Sequence, residues 1–278
     1  SLYCNGFGAF GANGLYDDQT QQTVKESQEY YALSVTGVTD LGTWLSLLTS
    51  CGDPARPAAA CDCATILTPA KAQTLKNEGY QVVGRYLSGT AAGGVSKALS
   101  DSEIQIIFNN GLRFFPISQG ANNKESDFTE EKGKADAVSA YNAAKSFGLP
   151  YGTIIYFAVD FDAMDYQITN SIIPYFKGVY NAMLNESRGM RYKVGVYGAR
   201  NVCSRVTEAG YACSSFVGDM STGFSGNLGF TIPDNWAYDQ FATVTVGSGA
   251  GQIEIDKDGY SGRDPGVSNV SYLDQYSY

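Results

Sequence analysis

Thr153-Ile154-Ile155-Tyr156-Phe157-Ala158-Val159-Asp160-Phe161-Asp162 is the stretch on which the fold of this chain turns. Residues 153–160 form an apolar run rich in β-branched and aromatic side chains, the pattern of a strand buried on both faces. Such strands belong to parallel sheets covered by helices, so helices are expected on either side. Working toward the N-terminus, Thr129 to Phe147 reads as a long helix closed by Gly148, and Leu112–Ser118 as the strand before it. Ser100-Asp101-Ser102-Glu103 is a capping box opening a helix that ends at Gly111. Val82–Leu87 is a strand, preceded by a helix that Thr68-Pro69 opens and Gly79 closes. A short first strand ends at Asp62. Toward the C-terminus, residues 166–185 are helical, with Pro174 expected to kink or interrupt them. Strands follow at Lys193–Tyr197, Ser215–Asp219, Trp236–Phe241 and Gln252–Asp256. Eight strands alternating with helices in about 215 residues predict an α/β fold, a (β/α)8 TIM-type barrel. Met220–Asn235 is a Gly/Ser-rich loop where a helix should stand, so the barrel is expected to be irregular late. A doubly wound open sheet fits less well, because the first βα turn lacks a phosphate-binding glycine fingerprint.

Ahead of the barrel, residues 52–60 are rich in Pro and Ala without periodicity and read as a linker. The expected organisation is a small N-terminal helical appendage over 1–52, a linker at 53–60 and the barrel over 61–278. Asp18 or Thr20 can cap the helix running through Val24 to Tyr31.

Composition narrows the chemistry. The 278 residues carry 19 Lys plus Arg against 28 Asp plus Glu, a formal charge of −9. That balance leaves no field for a phosphate backbone, and no nucleic-acid partner is expected. No apolar run is long enough for a membrane span. There is no histidine, which removes Ser–His–Asp and Cys–His nucleophiles and most catalytic zinc sites. No metal or cofactor is expected, and acid–base work falls to carboxylates, Tyr, Lys or Cys. The six cysteines are Cys4, Cys51, Cys61, Cys63, Cys203 and Cys213. An even count without a CxxC pair points to an exported, disulfide-bearing protein, with Cys203–Cys213 the expected local bond. Ser1 follows no charged and apolar leader pattern, so either a leader has been removed or the chain begins inside a longer protein. A monomer is expected.

Catalytic groups of such barrels project from the C-terminal ends of strands. Here Asp62, Asp160, Asp219, Asp239 and Asp256 fall at or beside five predicted strand ends. Arg85, Tyr86, Gln119, Tyr197 and Tyr238 share those ends, with Tyr156 on the central strand. If Asp160 and Asp162 lie on one strand they share a face, with Cα atoms roughly 6.5–7 Å apart. Paired carboxylates at an apolar strand end separate into a protonated acid and an ionised partner, the division that glycoside hydrolysis needs. The tyrosines suit stacking against sugar rings. Asp-x-Asp also occurs in metal and sugar-nucleotide sites, but no phosphate-cradling loop accompanies it. The spacing and glycine of a calcium loop are missing as well.

Several segments from about Cys61 to Gly262 occur together and in order. They are Ile66-Leu67-Thr68-Pro69, Val83-Gly84-Arg85-Tyr86-Leu87, Ile155 to Asp162, Gly195-Val196-Tyr197-Gly198, Trp236 to Gln240, and Ile255-Asp256-Lys257-Asp258. This set resembles a bacterial glycoside-hydrolase-like domain related to the family-25 muramidases. Gly14 to Thr20, Val24 to Gln28, Thr36-Gly37-Val38 and Thr43-Trp44 resemble the second half of a peptidoglycan-binding helical repeat. The resemblance implies a secreted or cell-wall-associated hydrolase of peptidoglycan or a related amino-sugar polymer. It assigns catalysis to Asp162, Asp160, Asp62 and Asp256. Substrate contacts fall to Arg85, Tyr86, Gln119, Tyr156, Tyr197, Asp219, Tyr238 and Asp239. Asp162 stands where the muramidases carry Glu, one methylene longer, so a glycan-binding protein that no longer cuts is the alternative.

Overall fold

The computed structural model describes residues 1–8, 13–48, 53–89, 96–186, 191–221, 223–227 and 229–271; Cys51, Gly52 and residues 272–278 lie outside them. Eight strands close into a barrel in chain order. They are β1 (Ala60–Asp62), β2 (Val82–Tyr86), β3 (Arg113–Ser118), β4 (Ile154–Ala158), β5 (Lys193–Gly198), β6 (Ser214–Val217), β7 (Trp236–Val246) and β8 (Ile253–Tyr260). The α/β barrel class read from the sequence is the observed one.

The helices begin where side-chain chemistry places them. Ahead of the barrel lie α1 (Asp18–Tyr30) and α2 (Leu41–Leu48). Around it run α3 (Pro69–Asn77), α4 (Asp101–Asn109), α5 (Glu130–Ser146), α6 (Asp165–Gln167), α7 (Ile173–Glu186) and α8 (Arg200–Glu208). Thr68 and Thr129 cap α3 and α5, each hydroxyl accepting from a backbone N–H in the first turn at 3.3 and 3.1 Å. Ser100 likewise accepts from Glu103 N at 3.2 Å. The expected capping box is only half formed, because the Glu103 carboxylate turns to Arg85 instead. Pro174 sits one residue into α7, directly after a π-turn over Ile168–Ile172. The wider turn takes up the missing N–H without ending the helical run.

Three strand details differ from the sequence expectations. β4 ends at Ala158, so Asp160 and Asp162 stand on the following loop and strand alternation does not set their separation. Among the described residues no α-helix follows β6, as the Met220–Asn235 loop predicted, but none follows β7 either, which a β-hairpin with a 3-10 turn at Gly249–Gly251 joins to β8. β8 therefore runs antiparallel to both of its neighbours, and Asp256 lies inside it rather than at its end. Register still places Asp256 opposite Asp62, at the C-terminal end of β1.

Aromatic rings fill the barrel below that level. Phe115 stacks on Tyr238 with centroids 3.9 Å apart, edge-on to Tyr156 and Phe216. Gly84 makes room for this plug and for the acid above it. A Cβ there would lie 2.5 Å from Phe115 Cζ and 2.7 Å from Asp62 Cβ. Gly84→Ala is therefore expected to cost about 1–3 kcal/mol by overpacking, measured as a lower urea midpoint at unchanged m-value.

The front segment is built around Gln28, fully buried in α1. Its amide donates to Val38 O and Thr43 Oγ1 at 2.9 Å and accepts from Thr36 N and Gly37 N at 2.9 Å. Asp17, the residue before the expected caps, is the one that caps α1. Residues 53–59 form no helix or strand, yet they are not a free tether. Arg56 is 6% exposed, donates to Tyr31 O at 2.6 Å and faces Asp239 at 3.5 Å.

The expected Cys203–Cys213 disulfide is absent: both are free thiols, as are Cys4, Cys61 and Cys63. Cys203 points from α8 toward the carbonyls of Val196, Gly198 and Phe216, whereas Cys213 is exposed just ahead of β6. Packing of α8 against the sheet thus separates two thiols that sequence proximity suggested would pair. Denatured but unreduced protein is expected to take up alkylating reagent at both positions, read by peptide mass; protection of both would restore the bond.

Candidate active site

Side chains at the C-terminal end of the parallel strands form two hydrogen-bonded groups, one around Gln240 and one around Gln119. Gln240, near the middle of β7, is the hub of the first. Its amide nitrogen donates to Asp62 Oδ2 at 2.6 Å and reaches Asp256 Oδ2 at 3.5 Å. Its carbonyl accepts from the Tyr197 hydroxyl at 2.9 Å. Thr243 donates to the other Asp256 oxygen. Across the opening, Lys97 Nζ donates to Gln119 Oε1 at 2.9 Å, and Gln119 Nε2 donates to Asp160 Oδ2 at 3.1 Å. Lys97 also stands 3.8 Å over the Tyr86 ring. Burial first, then the charges of Asp62, Asp160 and Asp256, push the Tyr86 and Tyr197 phenols upward. The charges of all three carboxyls thus bear on the same two phenols.

The acids differ in burial, and that sets their chemistry. Asp62 is 2% exposed, and desolvation holds its carboxyl well above the ordinary range. The Asp256 charge adds to that rise, and the Gln240 amide opposes it. Asp256 is half-buried and is also raised, chiefly by desolvation. Asp160 is exposed at the rim.

Other candidates from the sequence are engaged with different partners. Arg85 neighbours Tyr86 and so faces outward. It is fully buried between β2 and α4, with Nε on Glu103 Oε1 at 2.7 Å and further bonds to the Cys63 and Lys97 carbonyls. Tyr156 and Tyr238 face the barrel interior but point to its opposite end, bonding Asp264 side chain and carbonyl at 2.9 and 2.8 Å. Asp162 Oδ1 accepts from Ser225 N and Oγ, both at 2.8 Å, and so fastens the β6–β7 loop. Asp219 pairs with Arg200, and Asp239 with Arg56. These two pairs lie where the front segment meets the barrel, with Asn5 also bonded to Arg200.

None of Gln240, Lys97, Thr243 and Asp258 received a role from the sequence, although Gln240 and Asp258 stand in segments that carry the resemblance. A parity signal existed for two of them: Gln240 is two residues from Tyr238, and Asp258 two from Asp256. Lys97 follows a Gly-rich stretch with no periodicity and gave none.

Asp239 carries a pH consequence. Burial, then the Asp219 charge, raise its carboxyl to about 7, against the pull of Arg56 and Arg200. The unfolded chain loses this proton near pH 3.9. The folded state therefore holds a proton that the unfolded state lacks over pH 4–7, and stability falls as pH rises through that window. Asp62, Asp256, Asp258 and Asp264 shift in the same direction. Melting temperature is expected to fall between pH 5 and 8, and Asp239→Asn to flatten the slope; equal slopes would refute the assignment.

Among the described residues, no cluster of three or more His, Cys, Asp or Glu side chains is arranged to hold a metal ion. No described helix is long and apolar enough to cross a membrane.

Known proteins share this architecture. The chain is 52% identical over 279 residues to YbfG of Bacillus subtilis, a match covering 98% of this chain and 38% of YbfG. It is 45% identical over 261 residues to FadG of the same organism, covering 94% of this chain and 45% of FadG. It thus spans less than half the length of these relatives. The crystal structure of the Mycobacterium tuberculosis Tat-secreted protein Rv2525c superposes with a TM-score of 0.60 at 19% identity, covering 76% of this chain and 99% of that one. At that identity the likeness concerns the fold. Residues 1–47 match a peptidoglycan binding domain family. Residues 73–260, which carry Asp160, Asp256 and Gln240, match the Rv2525c-like, glycoside hydrolase-like domain, and the chain belongs to that family.

Proposed function

We propose that this protein hydrolyses glycosidic bonds of peptidoglycan or a related amino-sugar polymer, outside the cell or at the cell wall. The carrying observation is that Asp62 and Asp256 meet at Gln240, and that their charges and that of Asp160 bear on Tyr86 and Tyr197, with graded burial among the three acids. Asp256 is the proton donor, because burial raises its carboxyl, which favours the protonated form, while the side chain stays partly open to solvent. Asp160 is the partner carboxylate that stabilises positive charge developing at the sugar ring. Asp62 lies behind them and receives the Gln240 amide, which orients it toward the opening. The resemblance to family-25 muramidases would instead make Asp162 the donor, through Oδ2, which Ser225 leaves open. The peptidoglycan-binding match at the front supports the glycan class, and the Tat-secreted relative supports an extracellular place.

A second reading, a glycan-binding protein that does not cut, draws on the Asp162 anchor. A residue where the muramidases carry their catalytic Glu here holds a loop. Purified peptidoglycan incubated with the protein separates the two. The hydrolase releases new reducing ends in proportion to enzyme and time. Binding to sedimented cell wall without release would overturn hydrolysis in favour of the binding module.

A further inference from the structure

Asp258 lies directly beneath the Gln240 group, two residues along the β1–β8 ladder from the Asp62–Asp256 pair. It faces the barrel interior from β8, paired with Ala60 on β1 and Gln240 on β7. Lys257 and Gly259, its neighbours, face outward toward Arg56. Asp258 is 0% exposed, and neither carboxyl oxygen receives a hydrogen bond from any N–H or hydroxyl. The Asp62 carboxyl on β1, one of the two strands beside it, bears on it by charge and hydrogen bonding. Around it stand Asp256 on its own strand, Asp239 and Tyr238 on β7, and Cys61 and Tyr80 near β1 and β2. Arg85 acts on Asp62 from the far side of β2, and Lys97 from above. Tyr238 spends its hydroxyl on the Asp264 carbonyl, so it gives Asp258 nothing.

A carboxylate sealed from water without a donor is strongly disfavoured. Two neighbouring carboxyls, of which only Asp62 receives an amide N–H, relieve this by holding one proton. The asymmetry fixes where it sits. Asp62 already accepts from Gln240, so its anionic form is the better supported, and Asp258 keeps the hydrogen.

We propose that Asp258 is a positioning residue that shares one proton with Asp62 and, as the protonated partner, donates to it and holds it aimed at the sugar-binding opening. This rests on the proposed hydrolysis. Asp258 touches no substrate; it acts through Asp62.

Two variants test it. Asp258→Asn keeps an N–H donor toward Asp62, and Asp258→Leu removes it at similar volume. In side-chain carboxyl 13C NMR, wild type is expected to show a coupled two-step titration of Asp62 and Asp258. Asp258→Asn should retain the lower step and lose the upper. With peptidoglycan, Asp258→Asn should stay within a few fold of wild type in kcat. Asp258→Leu should lose on the order of 10²-fold in kcat at little change in KM, with its acid limb moved to higher pH. Equal pH profiles for the two variants would overturn the proposal, as would an Asp258 signal unaffected by Asp62→Asn. A wild type that cuts nothing would defeat the hydrolase reading alone, and the NMR titration would then decide the shared proton by itself.

Discussion

Asp256→Asn is expected to lower reducing-end release from purified peptidoglycan by on the order of 10²–10⁴-fold, the range for loss of a general acid. Glycan affinity should stay within a few fold, because the proton moves in the transition state and not on binding. The choice of residue follows from burial. Asp62 is raised but sealed, Asp160 is open to water, and Asp256 is the one of the three that is both raised and accessible. Asp160→Asn should also reduce turnover by removing the partner carboxylate. Asp162 supplies the contrast: Asp162→Asn should weaken the Ser225 anchor and cost far less than Asp256→Asn. Asp162→Glu should disturb the same loop. The reverse order, with Asp162→Asn inactive and Asp256→Asn near wild type, would move the acid to the position implied by the muramidase resemblance. Assays over about pH 4–7 cover the range in which a raised carboxyl titrates.

Glu103→Ala is expected to have the largest effect on stability, about 3–5 kcal/mol, as for other buried ion pairs broken on one side. Arg85 is 0% exposed and loses both contacts to the Glu103 carboxylate, at 2.7 and 3.3 Å. Leu67 N also loses its acceptor, at 2.8 Å. Urea unfolding reads the loss as a lower midpoint. Replacing Arg85 and Glu103 together by apolar residues should cost less than Glu103→Ala, because no charge is then left unpaired. A single mutant as stable as wild type would mean that water reaches Arg85. The Arg85 guanidinium also donates to the Lys97 carbonyl at 3.1 Å, so Glu103→Ala should reduce activity by loosening Lys97 and Gln119.

Much of the fold was legible because its signals are local. Apolar runs marked the strands, Thr68, Ser100 and Thr129 marked helix starts, and Gly79 and Gly148, at φ 92° and 67°, marked ends. The mouth was partly legible for the same reason. Asp62, Tyr86, Gln119, Asp160 and Tyr197 sit at or just past the ends of parallel strands, and the structure brings them together.

What the sequence could not supply were facing, depth and partner. Facing removed Arg85 and Asp239, each one residue from an inward neighbour and therefore on the outer side of its strand. Depth removed Tyr156 and Tyr238, whose hydroxyls reach Asp264 at the closed end of the barrel. Partner removed Asp219 and bound Asp162, through Arg200 and Ser225, residues distant in the chain. The reversed β8 decided the rest by setting Asp256 opposite Asp62 and hiding Asp258 beneath it. Sequence period is a property of a few consecutive residues and fixes which elements form. Barrel closure, strand direction and the pairing of buried charges depend on residues far apart in the chain, so only the folded structure could settle which acids meet.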